Sequence, residues 1–487
     1  MSSPQSALTA TPYRDLREWL EQIDQLGELR RVADASWEED AGMISEMLAH
    51  TDDAPAVMMD EFPGYPKGFR LLLNANGARR RIAHTLGFDP EIGKMDLVQA
   101  FKAKLDKLTL LPPVVVETGP VTENVLKGSE VDLYKFPAPK WHLKDGGRYI
   151  GTGSYTITRD PQSGAVNLGT YRVMIQDKNK AGFYIAPGKH GYLHRQQYFA
   201  QGQPCPVAVV VGGDPLLFMA GCVEIPLDSC EYDWAGGIKG IPYETLIEPI
   251  TGLPIPANAE IVLAGFSYPE DKLPEGPFGE WTGYYASGSR DAPVIRVEAI
   301  YHRNDPVLLC VPPEKPPWEA HRFREYLRSG LLMASVQNAG IPGVKGAWCH
   351  AAGGTRMLNI VSVKTQYAGH AMQAAHAAAA CRVGASVGRL TIVVDDDIDI
   401  TDLNDVMWAV CTRCDPASDL DILHNTWSNE LDPRIHPDRK AAKNFYASHL
   451  VIDATMPYDW KDRFPEPIGP TPEYKWKTRA KWGHLLK

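Results

Sequence analysis

Two acids, Glu275 and Glu280, lie five residues apart in Pro274-Glu275-Gly276-Pro277-Phe278-Gly279-Glu280-Trp281. Proline and glycine disfavour helix and strand alike, so the stretch reads as a stiffened loop. A rigid scaffold often carries its chemistry on such loops. An isolated pair of this kind equally suits a solvated surface, so the remaining polar residues matter. The run Val166-Asn167-Leu168-Gly169-Thr170-Tyr171-Arg172-Val173-Met174 has the alternation of a strand. Alternation sends Asn167 and Arg172 to opposite faces unless Gly169 carries a bulge, so the strand would address two compartments. Lys189-His190 follows a Pro-Gly turn, and Glu231 stands in Asp228-Ser-Cys-Glu231-Tyr-Asp-Trp-Ala-Gly236. Asn167, His190 and Glu231 offer amide oxygen, imidazole nitrogen and carboxylate oxygen, a mixed set that suits a Mn²⁺-like or Mg²⁺-like ion. Spacing alone does not show that they converge.

Other groups carry less. Asp395-Asp396-Asp397 follows an apolar run and precedes a helix capped by Thr401 or Asp402, where acids are favoured structurally. His370 and His376 are six apart on a helix and do not share a face. Cys411-Thr-Arg-Cys414 has no second pair to complete a zinc site, and the eight scattered cysteines read as reduced thiols. No dinucleotide fingerprint, P-loop or nucleophile elbow occurs.

The 487 residues allow about two to four domains. A net charge of −10 argues against nucleic-acid binding. No apolar run approaches the roughly 18 residues of a membrane span. Residues 1–14 lack a basic start followed by an apolar core, so no signal peptide and a cytoplasmic location are expected.

Three regions must position these side chains. Amphipathic helices are predicted at 13–25 and 37–48, buried strands at 57–59 and 71–73, and helices at 79–86 and 97–108. This makes residues 1–112 an α/β region. Residues 113–312 are strand-rich, with strands expected at 114–117, 153–159, 166–176, 182–186, 207–211, 259–265 and 294–302. Antiparallel strands with one or two embedded helices suggest a barrel-like α+β domain. Residues 313–487 return to strand–helix alternation, with strands at 359–363 and 390–394 and helices at 368–381 and 402–411, the pattern of a mainly parallel sheet. The basic, aromatic stretch 474–483 is expected to form a tail helix, either loosely held or docked on a partner subunit.

Taken together, the motifs resemble the UbiD family of reversible decarboxylases, which use prenylated FMN. The residues that carry the likeness are Asp145-Gly-Gly-Arg-Tyr-Ile150, Asn167 through Arg172, Lys189-His190-Gly191, Glu231 through Gly236, Ala257-Asn-Ala-Glu-Ile-Val262, Pro274 through Gly283, and Val394-Asp-Asp-Asp-Ile-Asp399 with Trp408-Ala and Thr412-Arg413. The resemblance implies a central split barrel like that of flavin reductases, flanked by two α/β regions. It implies a divalent ion, usually Mn²⁺, on Asn167, His190 and Glu231, clamping the cofactor phosphate. A K⁺ ion would lie near Ala220, Gly221, Val223 and Glu231. Leu168, Gly169, Thr170, Tyr171 and Lys189 would line the cofactor, and the implied catalytic trio is Arg172, Glu275 and Glu280.

On this reading Arg172 pairs with Glu275 and keeps it ionised. Glu280, with no assigned partner and beside Phe278 and Trp281, is the proton donor. Arg172 orients the substrate carboxylate, a substrate carbon bonds to the flavin, CO₂ leaves, and Glu280 protonates that carbon. Trp281 shapes the substrate pocket. One departure stands out: family members often carry a lysine shortly before an Asp-Ala pair, whereas Asp453-Ala454 here follows His449. His449 would take over at the phosphate, or Lys440 or Lys443 would reach in. The expected partners are a carboxylic acid (aromatic, heteroaromatic, α,β-unsaturated or an aryl-CoA thioester), CO₂, a flavin prenyltransferase that supplies the cofactor, and further copies of the chain as a homodimer or homohexamer. The rival readings are an FMN oxidoreductase on the same barrel and a scaffold subunit of a larger carboxylase.

Overall fold

The computed structural model describes residues 13–223, 229–285, 288–469 and 471–486. Asp228, in the run that leads to Glu231, and the start of the 1–14 stretch lie outside them.

The first helix, Leu16–Gln25, starts on Asp15, whose carboxylate accepts the N–H groups of Arg17 and Glu18. It buries Leu16, Trp19, Leu20 and Ile23, and the chain turns away at Gly27 with φ of 74°. Burial of a tryptophan such as Trp19 is worth roughly 3–5 kcal/mol against alanine. The helix expected at 37–48 is Asp40–Ala49, and the two apolar runs are the strands Ala56–Asp60 and Arg70–Leu73. A strand that the apolar pattern hid, Leu29–Ala33, pairs parallel to Ala56–Asp60. Its Arg30 and Arg31 interrupt the apolar run. The fourth strand of this sheet is Val307–Cys310, which pairs with Arg70–Leu73 from far along the chain.

Among the described residues, the middle third is built on a nine-stranded antiparallel sheet, curled into a half-barrel whose end strands are not hydrogen-bonded to each other. The central strand Cys205–Val211 is buried on both faces. Val207, Val209 and Val211 join one core, while Ala208 and Val210 join the other. A continuous apolar run is what such a doubly covered strand requires. Two expectations change here. The strand expected at 166–176 is two strands, Val166–Gly169 and Val173–Asp177, with 170–172 a break between them. At Gly169, where the first strand ends, any Cβ would overlap the Tyr171 side chain. Strand alternation therefore does not decide where Arg172 points. The acid loop is also partly strand: Ile261–Glu275 pairs with Arg290–His302 in a long hairpin that ends on Glu275 opposite Arg290.

The last third is a five-stranded sheet. Its inner strands Leu358–Val363, Leu390–Asp395 and Tyr446–Ala454 are parallel, and both edges, Val344–Cys349 and Leu420–Trp427, are antiparallel. Arg413 pairs with Asp395 and Asp397, and Asp402 caps the next helix, so the Asp395–Asp397 run is structural. His370 meets the Pro342 carbonyl while His376 meets Asp421, so the two histidines serve different partners. No described helix is long and apolar enough to cross a membrane.

Candidate active site

Arg172 occupies the break between two strands, and its guanidinium is divided between two acids. Its Nε and Nη2 donate to the two carboxylate oxygens of Glu275 at 2.8 Å each. Its Nη1 donates to Glu280. Glu280 thus has a charged partner, contrary to expectation. The hairpin brings this about: it delivers Glu275 at a strand end, and the turn beyond brings Glu280 back to the same cation. The Tyr149 hydroxyl donates to Glu275 at 3.2 Å, and its ring lies 4.0 Å from that of Phe278. The Arg172 guanidinium sits over Phe278 and Tyr184, 5.5 and 4.9 Å from the ring centres.

Burial dominates the electrostatics. It raises the Glu280 carboxyl above the usual range, and Arg172 offsets only part of that rise. Burial also opposes the charge of Arg172, but the two carboxylates outweigh it and hold the guanidinium protonated. Burial favours keeping a proton on Glu280, against the pull of Arg172 and the more distant Arg290.

The loop that carries Glu280 is supported by the Asp145-Gly-Gly stretch. Gly146 N–H donates to the Pro277 carbonyl at 2.8 Å, and a Cβ on Gly146 would overlap the Gly276 carbonyl. The Tyr285 hydroxyl donates to Asp145 at 3.3 Å. His142 lies between Asp145 and Glu314, with Nε2 2.8 Å from Glu314 and Nδ1 3.6 Å from Asp145. Burial disfavours the imidazolium, but the two acids outweigh burial and push its pKa up to about 10. The sign follows from a raised folded-state pKa. This stabilisation is complete below about pH 6.5, the unfolded value, and is lost as the pH rises towards 10. Replacing His142 with alanine leaves two buried acids without their cation, an expected cost of about 3–5 kcal/mol near neutrality. Denaturant midpoints at pH 6 and pH 9.5 test this: the gap between wild type and His142→Ala should shrink at the higher pH.

A second cluster lies at the strand Val166–Gly169. His190, first residue of the helix His190–Ala200, has Nδ1 3.1 Å from Asn167 Oδ1. Glu231, first residue of the helix Glu231–Lys239, accepts the Leu168 N–H at 2.8 Å. The structure therefore gathers Asn167, His190 and Glu231 around one strand end. Buried Asn167 Nδ2 has no hydrogen-bond partner, and burial pushes the Glu231 carboxyl up to about 7. Burial lowers the His190 pKa, helped by the charges of Lys189 and Arg382, which favours the neutral, ligating imidazole. A buried carboxylate short of counter-charge, a neutral imidazole and an amide fit a hard divalent cation. Among the described residues, no group of three or more His, Cys, Asp and Glu is placed to hold a metal ion, and this cluster contributes only one His and one Glu with its amide.

The other expected residues are distributed as follows. Gly221 closes the helix Pro215–Gly221 against Leu168 and Thr170, and its carbonyl accepts the Thr170 hydroxyl at 3.2 Å. The Ala220 carbonyl accepts Val223 N–H at 3.3 Å. Tyr171 hydroxyl accepts Gly191 N–H at 3.2 Å. Trp281 packs against Gly354, with Arg356 6.0 Å from its ring centre. His449 is fully buried in the C-terminal sheet, with Nε2 2.9 Å from the Thr391 hydroxyl. Burial drives its pKa down to about 4, so it brings no positive charge at neutral pH. Tyr149, His142, Tyr184 and Arg290 were not singled out from sequence. Tyr149 lay inside a quoted motif, whereas the others depend on pairings between distant segments.

Known proteins resemble nearly the full length of the chain. Family models described as the N-terminal, Rift-related and C-terminal domains of 3-octaprenyl-4-hydroxybenzoate carboxy-lyase match residues 20–100, 114–316 and 321–454. A pyrrole-2-carboxylic acid decarboxylase of Pseudomonas aeruginosa is 31% identical over 91% of each chain. A phenolic acid decarboxylase of a Streptomyces species is 29% identical over 98% of each. Among solved structures, the open form of the Sedimentibacter hydroxybenzoicus vanillic acid decarboxylase superposes with a TM-score of 0.85 at 27% identity, covering 97% of this chain and 99% of that one. The UbiD-class enzyme HmfF from Pelotomaculum thermopropionicum, in complex with FMN, gives 0.84 at 27% identity, covering 96% and 100%. The chain belongs to the UbiD family of carboxy-lyases.

Proposed function

We propose that this protein catalyses the reversible, non-oxidative decarboxylation of an aromatic, heteroaromatic or α,β-unsaturated carboxylic acid with prenylated FMN. The observation that carries the reading is the single cation Arg172 shared by two buried glutamates, one of which, Glu280, is biased by burial towards holding a proton. The half-barrel takes the part of a flavin-reductase-like split barrel. Asn167, His190 and Glu231 would hold a divalent ion at the cofactor phosphate, and the carbonyls of Ala220, Gly221 and Val223 a K⁺ ion. Leu168 through Tyr171 and Lys189 would line the flavin. At the phosphate, Lys189 and the divalent ion supply the positive charge that neutral His449 does not.

When bound, the prenylated flavin supplies the electron sink for the carbon that loses CO₂. The chain does the rest. Arg172 fixes both glutamates. When Glu280 is protonated its hold on Nη1 weakens, and that donor becomes available to orient the substrate carboxylate. Glu280 then gives its proton to the carbon left by CO₂, and solvent reprotonates it. Phe278, Tyr149 and Trp281 keep the surroundings apolar, which sustains the raised Glu280 pKa.

Expressed with a flavin prenyltransferase, the purified protein should carry the visible spectrum of a modified flavin. Loss of even an outer partner of a metal site costs about 10–100-fold in affinity, so Glu231→Ala should lose at least that much cofactor retention. A protein that takes up only plain FMN and oxidises NAD(P)H would favour the oxidoreductase rival.

A further inference from the structure

Two kinds of contact hold Arg172. Its Nε, Nη1 and Nη2 donate to Glu275 and Glu280. Its guanidinium carbon also lies over the Tyr184 ring, 4.9 Å from the centre. The negative face of an aromatic ring attracts a cation placed there. A second guanidinium, that of Arg290, lies over the same ring at 3.8 Å. Two like charges on one ring repel each other, so the arrangement calls for an anion close by.

Glu430 supplies it. One of its carboxylate oxygens accepts the Tyr184 hydroxyl at 2.6 Å, and the other lies 3.8 Å from Arg290 Nη1. A hydrogen bond this short to a carboxylate is of the strong, charge-assisted kind. It fixes where the ring stands. Tyr184 follows the short strand Lys180–Gly182 and lies in no regular element, so its backbone alone does not hold it. Glu430 comes from the C-terminal region, in the turn after the strand Leu420–Trp427. That turn is braced. Buried Asp432 accepts the Ser428 hydroxyl at 2.8 Å and Arg389 Nη2 at 2.6 Å, and Asn429 Oδ1 accepts the Leu431 N–H at 2.9 Å. Burial and Glu430 both raise the Tyr184 pKa, so the hydroxyl keeps the proton that it donates.

We infer that Tyr184, tethered by Glu430, is a positioning residue for Arg172: it holds the guanidinium in register with the two glutamates while Nη1 passes from Glu280 to the substrate carboxylate. The acids do not secure this alone, because Glu280 gives up its hold when it is protonated. The ring acts on the charge of Arg172, which stays the same whether Glu280 carries a proton or not. The C-terminal region thereby acts on the proton donor without touching it. This rests on the decarboxylase reading above and adds a residue to its machinery.

The test is the pH profile of CO₂ release by the cofactor-loaded, full-length protein carrying Tyr184→Phe. This change keeps the ring and every charge. Arg172, Glu275 and Arg290 act on the Glu280 proton, and Arg172, Arg290 and Glu430 surround Tyr184; none of them is altered. Release falls as the pH rises and Glu280 loses its proton. Arg172 favours that loss, so a loosened Arg172 should move the falling limb up by about 0.5 pH unit and lower the maximal rate about threefold. Tyr184→Leu, which removes the ring, should move the limb further. Glu430→Gln should lower the maximal rate of the wild type but not that of Tyr184→Phe, where its partner is gone. An unmoved limb with a uniform loss at every pH, as partial unfolding would give, would overturn the assignment. Urea midpoints read the same contact without activity. The losses caused by Tyr184→Leu and Arg172→Leu should sum to more than the double variant shows. Additive losses would overturn the assignment as well. No CO₂ release from any acid, with non-additive losses, would remove the decarboxylase reading and leave Tyr184 as the residue that holds Arg172.

Discussion

Replacing Glu280 with glutamine should lower hydrogen–deuterium exchange into the product acceptor by about 10²–10⁴-fold, the usual worth of a positioned general acid. Glutamine keeps the shape of the side chain and an acceptor oxygen for Arg172, but has no proton to give. The cofactor content should therefore be unchanged, because Glu280 lies in a different cluster from Asn167, His190 and Glu231. Exchange within about twofold of wild type would remove Glu280 from its role. Aspartate at this position keeps the acid but shortens its reach, and should fall between the two.

Removing Arg172 should be the most destabilising single change in the site. Its guanidinium is the shared cation of Glu275 and Glu280, with side chains only 11%, 2% and 12% exposed respectively. Taking away one partner of a buried ion pair costs about 3–5 kcal/mol, because the remaining charge is left without compensation. Arg172→Leu should show this as a lowered denaturant midpoint together with loss of CO₂ release. The deficit should be smaller at pH 5 than at pH 8, since protonation relieves an orphaned carboxylate. Lysine should not rescue activity, because one ammonium cannot reproduce a bidentate pair plus a third contact. A variant as stable as wild type at pH 8 would mean that the glutamates do not depend on Arg172 for their charge.

Much of the candidate site was legible because its chemistry lies in short motifs. Singly, the runs that hold Asn167, Arg172, His190, Glu231, Glu275 and Glu280 also suit structural roles, and it is their joint likeness to one family that picks them out. The geometry between the runs was less legible. The break at 170–172 leaves no clear mark in the residue types between Leu168 and Val173, although the strand pairing stops there. The strand was expected to stop at 265, and Pro274 stood in a stretch read as a loop. Proline is tolerated in the long hairpin because Pro269 lies in the irregular, unpaired stretch between Ser267 and Lys272. With the strands cut short, the pairing of Glu275 with Arg290 was lost, and with it the second guanidinium. The His142 network was missed for a related reason, since Glu314 lies 172 residues beyond His142. In the C-terminal third the βαβ pattern named the parallel strands, but the antiparallel edges followed from tertiary pairing alone.

The C-terminal segments shape the site from across the half-barrel. Glu430 reaches Tyr184 and Arg290, and Gly354 and Arg356 flank Trp281. On the proposed function, substrate choice would be set by residues from both regions, while Glu280 and its cation Arg172 come from the middle third of the chain.

The most direct test of the central claim is CO₂ release from an aromatic acid by the cofactor-loaded protein, measured beside the same protein carrying Glu280→Gln. The account predicts acid-dependent CO₂ release by the wild type and its loss in the variant with the flavin still bound. Equal release by both proteins, or none from any aromatic, heteroaromatic or α,β-unsaturated acid, would contradict it.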